Sequence, residues 1–525
     1  MRARKTNPLS TECEAAILKR ARFILCRMGV EASTEINWID ATLLITSMEG
    51  GLYFTWLAIT GCYPTKFELE NFHSTLSIHD FERAALDLLH QRFKSILAQR
   101  LLLCVVLIDP KNTHLVDVTH TSSAPYLTGI QRVVYGVTEG VPNVTTFAWI
   151  GSSGVLSERI LSRYKPDAGN AHSKRGWRES LVFFLHSLVP VLDKSPISKR
   201  VRRSSLPLAR KIKKWLISSE IRKLLASGRG PEIQNILLLN VKITIPEIPS
   251  PQHIFLYEAI LENSVIPIQV ILYDFIPLFH AWTVHPNNRG NLNIYLRLIL
   301  LADRVISISN LVQNQAKLIS KAFKLERTEW QNRSQFFDYL PLPSGLKSAT
   351  LEEFHKDPLL VVMAGSLEPR KNHMQFLDAL EILNNRDIPI KGVILGTAGW
   401  ENEEILDRIH QLQNEGVSIR RAGNLSDSEI REQIGKAQVL LQISEAEGFG
   451  LPISEALALG TRVIVSNISP LKEWEGDRVQ IVELHDSVKL AELLSEILQN
   501  RENSTKYIQQ INSWKAWTDL LYSNS

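Results

Sequence analysis

The chain has 525 residues, 44% hydrophobic and 22% charged. This is the ordinary balance of a globular protein and too much chain for one compact core, so two or three domains are expected and a disordered, collagen-like or coiled-coil chain is excluded. The net charge is only +4, from 59 basic and 55 acidic residues, so its distribution matters more than its sum.

Residues 1–100 read as a helical extension, with apolar residues at three and four spacing in FERAALDLLHQRFKSIL, Phe81 to Leu97. Cys13, Cys26, Cys62 and Cys104 all fall early, without zinc spacing or a C-x-x-C pair, which points to a reducing cytoplasm. The basic start has apolar runs too short and too interrupted for a signal peptide. Ala41 to Tyr63 carries Glu49 as its only charge and is long enough for a bilayer, which needs roughly 20 apolar residues. Glu49, Gly50 and Gly51 sit at its centre, where a charge is costly and a glycine pair breaks a helix. Two core helices joined by a turn are therefore expected.

From Arg100 the pattern changes to short apolar runs separated by helical stretches. The runs are 101–109, 235–239, 269–274, 304–309, 359–365, 392–396, 439–444 and 462–466. Such alternation predicts an α/β protein with doubly wound parallel sheets. The runs fall into two groups on either side of a Pro/Ser-containing link near 340–355. The expected domains are thus a helical extension (1–100), a first Rossmann-like domain (101–345) with a basic insertion at about 172–230, and a second Rossmann-like domain (346–525).

Inside the insertion, residues 174–229 hold 15 Lys/Arg against Glu179, Asp193 and Glu220, a net of +12. The remaining 469 residues (525 − 56) therefore sum to −8 (4 − 12). Leu208, Ile212, Trp215 and Leu216 share one helical face, with Arg210, Lys211, Lys213 and Lys214 around it. Two readings stand: a basic helix on an anionic membrane surface, or a solvated insertion packed on the first domain. No motif points to nucleic acid.

The chemistry concentrates in two loops of the last domain. EAEGFGLPISEALALG (445–460) lies between a strand and an apolar helix, at the carboxyl end of a parallel strand, where such sheets bind ligands. Gly448 and Gly450 permit close backbone approach, and the following helix offers its N-terminus to an anion. Of Glu447 and Glu455, one can reach a sugar hydroxyl in the cleft while the other accepts hydrogen bonds from a ribose diol. Each glutamate alone reads equally as a helix cap or a solvated side chain. LLVVMAGSLEPRKNH (359–373) is strand, tight loop and helix. Arg370 and Lys371 stand at the start of an exposed helix, either as a diphosphate site or as two solvated charges. There is no D-x-D, P-loop, H-E-x-x-H or G-x-S-x-G, which disfavours a kinase, zinc protease or α/β-hydrolase.

The string EAEGFGLPISEA resembles the nucleotide-sugar loop of family-4 glycosyltransferases, retaining enzymes of the GT-B type with two Rossmann-like domains facing across a cleft. GSLEPRKN resembles the family's first donor loop, with Ser366 where many members carry arginine. ILGTAGW, GNLSDSEIREQIGKAQVLLQIS and RVIVSNISPLKEWEGD follow in family order, so the resemblance covers about 345–525. SW (513–514) opens a helix that in this fold crosses back to the first domain. LVDVTHTSSAPYLTGIQRVVYGV (115–137) and ILYDFIPLFHAW (271–282) are similar to a bacterial polysaccharide mannosyltransferase branch, with Tyr273 where many members carry histidine.

The resemblance implies a glycosyltransferase that uses a nucleoside diphosphate sugar, GDP-mannose foremost, in surface-polysaccharide synthesis. Glu447, Lys371, Arg370 and Asp274 would serve catalysis. Ser366, Glu455, Gly448, Phe449, Gly450 and Leu451 would hold the donor, and Gly129 and Arg132 would face a saccharide or lipid-linked acceptor. No metal and no cofactor are expected, and the protein is expected in the cytoplasm or at the membrane's inner face. A non-catalytic GT-B binding protein or a nucleotide-sugar epimerase are the alternatives.

Overall fold

The computed structural model describes residues 11–78, 80–92, 105–108, 114–121, 129–138, 144–149, 156–158, 235–238, 241–263, 266–286, 291–326, 335–343, 354–423, 425–474, 476–499 and 514–523. The basic segment 174–229 lies outside them. Packing divides the chain into two units. One comprises Met1–Ile108, Ser153–Glu158 and Ala168–Leu239; the other comprises Asp109–Ser152, Arg159–Asp167 and Asn240–Ser525.

The first unit opens with five helices: α1 (Thr11–Arg27), α2 (Trp38–Thr46), α3 (Gly51–Thr60), α4 (Lys66–Ile78) and α5 (Phe81–Arg92). The apolar stretch breaks at the glycine pair, as expected. Gly50 is left-handed at φ 68°, and a Cβ on Gly51 would lie 2.0 Å from the Ile45 carbonyl oxygen. Only glycine fits so tight a reversal. Arg20 is buried in α1 and donates to Ala58 O at 2.7 Å and Ile59 O at 3.0 Å. Its charge thus meets the carbonyl end of α3, where a cation is favoured. No described helix is long and apolar enough to cross a membrane. Val105–Ile108 pairs in parallel with Asn235–Leu238 in the same unit.

In the second unit, β1 (His114–Asp117), α6 (Gly129–Thr138), β2 (Val144–Trp149), β3 (Lys242–Ile245), α7 (Pro251–Asn263), β4 (Ile268–Leu272), α8 (Asn291–Leu301), β5 (Arg304–Ser307), α9 (Asn310–Glu326) and β6 (Phe336–Tyr339) build one Rossmann-like domain. Its strands lie in the order β2-β1-β3-β4-β5-β6, all parallel. A second domain follows with β7 (Leu360–Ala364), α10 (His373–Asn385), β8 (Lys391–Leu395), α11 (Glu403–Asn414), β9 (Ile419–Ala422), α12 (Asp427–Lys436), β10 (Val439–Gln442), α13 (Leu451–Ala458), β11 (Arg462–Ser466), β12 (Val479–Val482) and α14 (Ser487–Gln499). Its order is β9-β8-β7-β10-β11-β12, again all parallel. These two sheets give the chain the two-domain Rossmann-like GT-B fold, with helices ahead of it.

Both faces of the second sheet are covered, which its continuous apolar strands require. On β7, Val361 and Met363 pack with α10 residues such as Phe376 and Leu380 on one face. Leu360, Val362 and Ala364 pack with Ile453 and Ala456 of α13 on the other. Strand order reverses at β7, between β8 and β10. Ligands bind doubly wound sheets outside the carboxyl ends of the strands at such a switch point. The loops after β7 and β10 leave from that place.

The last helix, α15 (Trp514–Ser523), packs against α6. Trp517 and Leu521 are fully buried with Val116, Val133, Val134 and Val137 of the first domain. Arg304 donates to Leu521 O at 2.7 Å. The first sheet has its own switch point at β1 and β3. There Asp117 and Glu247 are both about 99% buried (1% exposed each). Glu247 accepts from Thr121 N at 2.9 Å and Thr121 Oγ1 at 2.6 Å. Asp117 accepts from Thr119 N at 2.8 Å and from the Tyr257 hydroxyl.

Candidate functional site

The loop after β7 turns back on itself. Gly365 has φ 142°, and a Cβ there would meet Lys371 Cε at 3.1 Å. Ser366 Oγ donates to Glu368 Oε1 at 2.7 Å. Pro369–Lys371 form one tight turn, and Asn372, left-handed at φ 60°, starts α10. The turn brings Arg370 and Lys371 beside the loop after β10. Two hydrogen bonds stitch the loops together: Glu445 N to Arg370 O at 2.8 Å and Arg370 Nη1 to Ala446 O at 2.7 Å.

Glu447 is the centre of the cluster. Its Oε1 receives Lys371 Nζ at 2.5 Å, Ser444 Oγ at 2.7 Å and Gln442 Nε2 at 2.8 Å. Arg370 Nη1 stands 3.3 Å from the same oxygen. Burial alone would raise the carboxyl's pKa, but Lys371 and then Arg370 outweigh it and hold it at about 2. The carboxylate is therefore ionised throughout the physiological range. The Lys371 side chain is only 12% exposed, so the expected exposed helix start is wrong: the turn folds the lysine inward over Gly365. His373 opens α10 nearby, and burial, then Lys371, lowers its pKa to about 4. It remains neutral and adds no third cation. Gln442 and Ser444 were not singled out from sequence, although both lie within five residues of Glu447 on the same strand and loop.

Gly448 joins this cluster to the first domain. A Cβ on it would lie 2.2 Å from Tyr273 O and 3.2 Å from Asp274 Cβ, so the loop can approach the end of β4 only without a side chain. Asp274 accepts from Ile276 N at 2.9 Å. Burial raises its pKa, with that hydrogen bond, Arg370 and Lys371 opposing. The four expected catalytic side chains are thus brought together. Tyr273, which stands where many members of the resembled family carry histidine, is buried and donates to Pro246 O.

The remaining loop residues serve the same junction. Phe449 is buried in the first domain's core cluster, and its carbonyl accepts from Trp474 Nε1 at 3.1 Å. Gly450, at φ 95°, caps α13. A Cβ on Gly129 would lie 3.5 Å from Leu451 Cδ1. Glu455 is 8% exposed rather than solvated. Its Oε1 accepts from Arg132 Nη1 at 2.7 Å, and Arg132 Nη2 donates to Asp427 Oδ1 at 2.6 Å. Arg132 is therefore ion-paired within the protein instead of standing free on α6. Asp427 had no signal in the sequence, because its partner lies 295 residues away.

Residues 350–514 match the family model described as glycosyl transferases group 1. The serotype-specific mannosyltransferase WbdA of Escherichia coli is 26% identical over 273 residues, 48% of this chain and 33% of that protein. The O-antigen chain mannosyltransferase B of Escherichia coli is 30% identical over 139 residues, 26% of this chain and 36% of that one. The chain thus spans about a third of the length of the curated relatives it matches. Among solved structures, sucrose-phosphate synthase from Thermosynechococcus elongatus aligns with a TM-score of 0.47 and 14% identity, over 79% of this chain and 100% of that one.

Proposed function

We propose that this chain, with its glycosyl transferases group 1 match at 350–514, moves a sugar from a nucleoside diphosphate to a saccharide acceptor. The observation that carries this reading is one ionised, largely buried carboxylate, Glu447, held by Lys371 and Arg370 at the switch point of the second sheet. Breaking a glycosidic bond to a diphosphate puts growing negative charge on the leaving group. Arg370, Lys371 and the N-terminus of α13 are preorganised to stabilise that charge without a metal. Glu447 orients the sugar through its hydroxyls, Glu455 accepts from the ribose, and Asp274 faces the acceptor. Phe449 and Gly448, packed against the first domain, limit water access, which protects the donor from hydrolysis.

The mannosyltransferase names of the relatives favour a mannose donor, GDP-mannose, and an acceptor in O-antigen or other surface-polysaccharide synthesis. Transfer with retention at the anomeric carbon is part of the same proposal and rests on the loop's resemblance to retaining enzymes. The test is a thermal-shift panel of nucleotide sugars followed by transfer to mannose-containing oligosaccharides, with and without EDTA. A ligand that binds only the folded state raises the melting point. A shift with GDP-mannose, a lengthened acceptor and turnover that survives EDTA are expected. A shift without any transfer would assign the chain to a binding role instead.

A further inference from the structure

Arg132 of α6 reaches two carboxylates of the second domain: Glu455 at 2.7 Å and Asp427 at 2.6 Å. The partners come from different helices. Asp427 begins α12 behind the capping residue Ser426, and Glu455 lies within α13. A guanidinium is a rigid planar fork that can hold two acceptors at fixed angles, which an ammonium cannot. Both contacts are well shielded, with side-chain exposures of 23% for Arg132, 26% for Asp427 and 11% for Glu455.

The bond to Arg132 uses Oε1 of Glu455. A carboxylate has a second oxygen, so the same side chain can accept a hydroxyl while it remains pinned. Pinning matters because a carboxylate that is fixed in direction and ionised makes the stronger hydrogen bonds to a diol. Burial pushes the Glu455 carboxyl towards its neutral form, against the pull of Arg132; Asp427 adds to the upward push and Arg431 opposes it. Without the guanidinium, the side chain would be a freer and more readily protonated group.

We propose that Arg132 is a positioning residue that fixes Glu455 to read the ribose of the donor nucleotide, so that donor selectivity depends on a helix of the first domain. This rests on the donor reading above. The consequence is specific: Arg132 controls the preference for ribose over 2′-deoxyribose and leaves recognition of the diphosphate to Arg370 and Lys371.

The experiment measures binding of GDP, UDP, 2′-deoxy-GDP, 2′-deoxy-UDP and inorganic pyrophosphate by calorimetry, for the wild type, Arg132→Lys and Arg132→Met. The wild type is expected to prefer a ribonucleotide by about tenfold or more, the scale of a hydrogen bond to a charged group. Arg132→Lys, which retains the charge but not the fork, should keep part of that preference. Arg132→Met should bring it near parity, with pyrophosphate binding unchanged in both variants. If Arg132→Met does not fold, Arg132→Lys decides the matter by its ratio. A full wild-type ratio in the folded variants would make Arg132 a structural tie only and overturn the proposal. A wild type that binds ribo and deoxy forms equally would overturn it too. A wild type that binds none of these nucleotides would remove the donor reading itself.

Discussion

Four donors on one oxygen make Glu447 the most constrained side chain of the site, and Lys371 is the closest of them. On the proposed reading, Lys371→Ala removes a cation from the place where the charge of a leaving diphosphate would develop. Turnover should fall about 10²–10³-fold, the scale for losing one preorganised electrostatic contact. Because the lysine is buried against Glu447, the variant should also lose about 1–3 kcal/mol of stability, measurable by denaturant unfolding. Wild-type turnover would remove the site assignment.

A second residue-level effect is set by pH. Burial, then Asp117, raises Glu247 from its ordinary 4.5 to about 8. Its folded-state value is higher than its unfolded one, so the folded form holds a proton that the unfolded form loses above about 4.5. This contribution to stability therefore declines as pH rises from about 4.5 to about 8. Glu447 works in the opposite sense: its stabilisation is present above 4.5 and is lost as pH falls towards about 2. Thermal melts of Glu247→Gln between pH 5 and 8 should show a flatter pH dependence than the wild type. An unchanged slope would mean Glu247 is ionised in the folded protein.

At the scale of elements, α15 is the clearest case of one helix completing another domain's core. Trp517 is fully buried, with Nε1 3.4 Å from Leu340 O. Trp517→Ala should cost about 3–5 kcal/mol, as large aromatic truncations in cores do. The loss should appear in the melting of the whole second unit. A small change, below about 1 kcal/mol, would show that the helix is only loosely docked.

Across the whole molecule, the unevenness of charge leads to a separate expectation. Residues 174–229 carry +12 in 56 residues, and on the membrane-surface reading each basic residue near an anionic bilayer would contribute about 1 kcal/mol. The protein should co-sediment with anionic liposomes at low salt and be released as salt rises. Changing Arg210, Lys211, Lys213 and Lys214 to Gln should weaken that binding. Equal binding to neutral vesicles would discard the idea.

How far the sequence announced this molecule depended on burial and distance. The apolar runs at 359–365, 392–396 and 439–444 became β7, β8 and β10, because strands covered on both faces must be apolar throughout. β2 and β3 matched none of the runs, and neither did the edge strands β6, β9 and β12. Arg420 and Arg421 of β9 are exposed, and an edge strand needs no continuous apolar run. At the site, Glu447, Arg370 and Lys371 were visible because each sits in a compact local string. The Arg132–Asp427–Glu455 bridge was not, since its members are about 300 residues apart and charge type alone does not name a partner. The direction of Lys371 was also hidden, since it depends on the left-handed Asn372 and the space above Gly365.

The docking of α15 on α6 bears on how the chain is made. During synthesis α6 emerges 376 residues (514 − 138) before the helix that covers it. At roughly 5–20 residues per second, Val133, Val134 and Val137 wait about 20–75 s for Trp517 and Leu521. The first Rossmann-like domain therefore cannot finish folding as a nascent segment in the usual N-to-C order. The face that Val133, Val134 and Val137 present stays uncovered until α15 has been made.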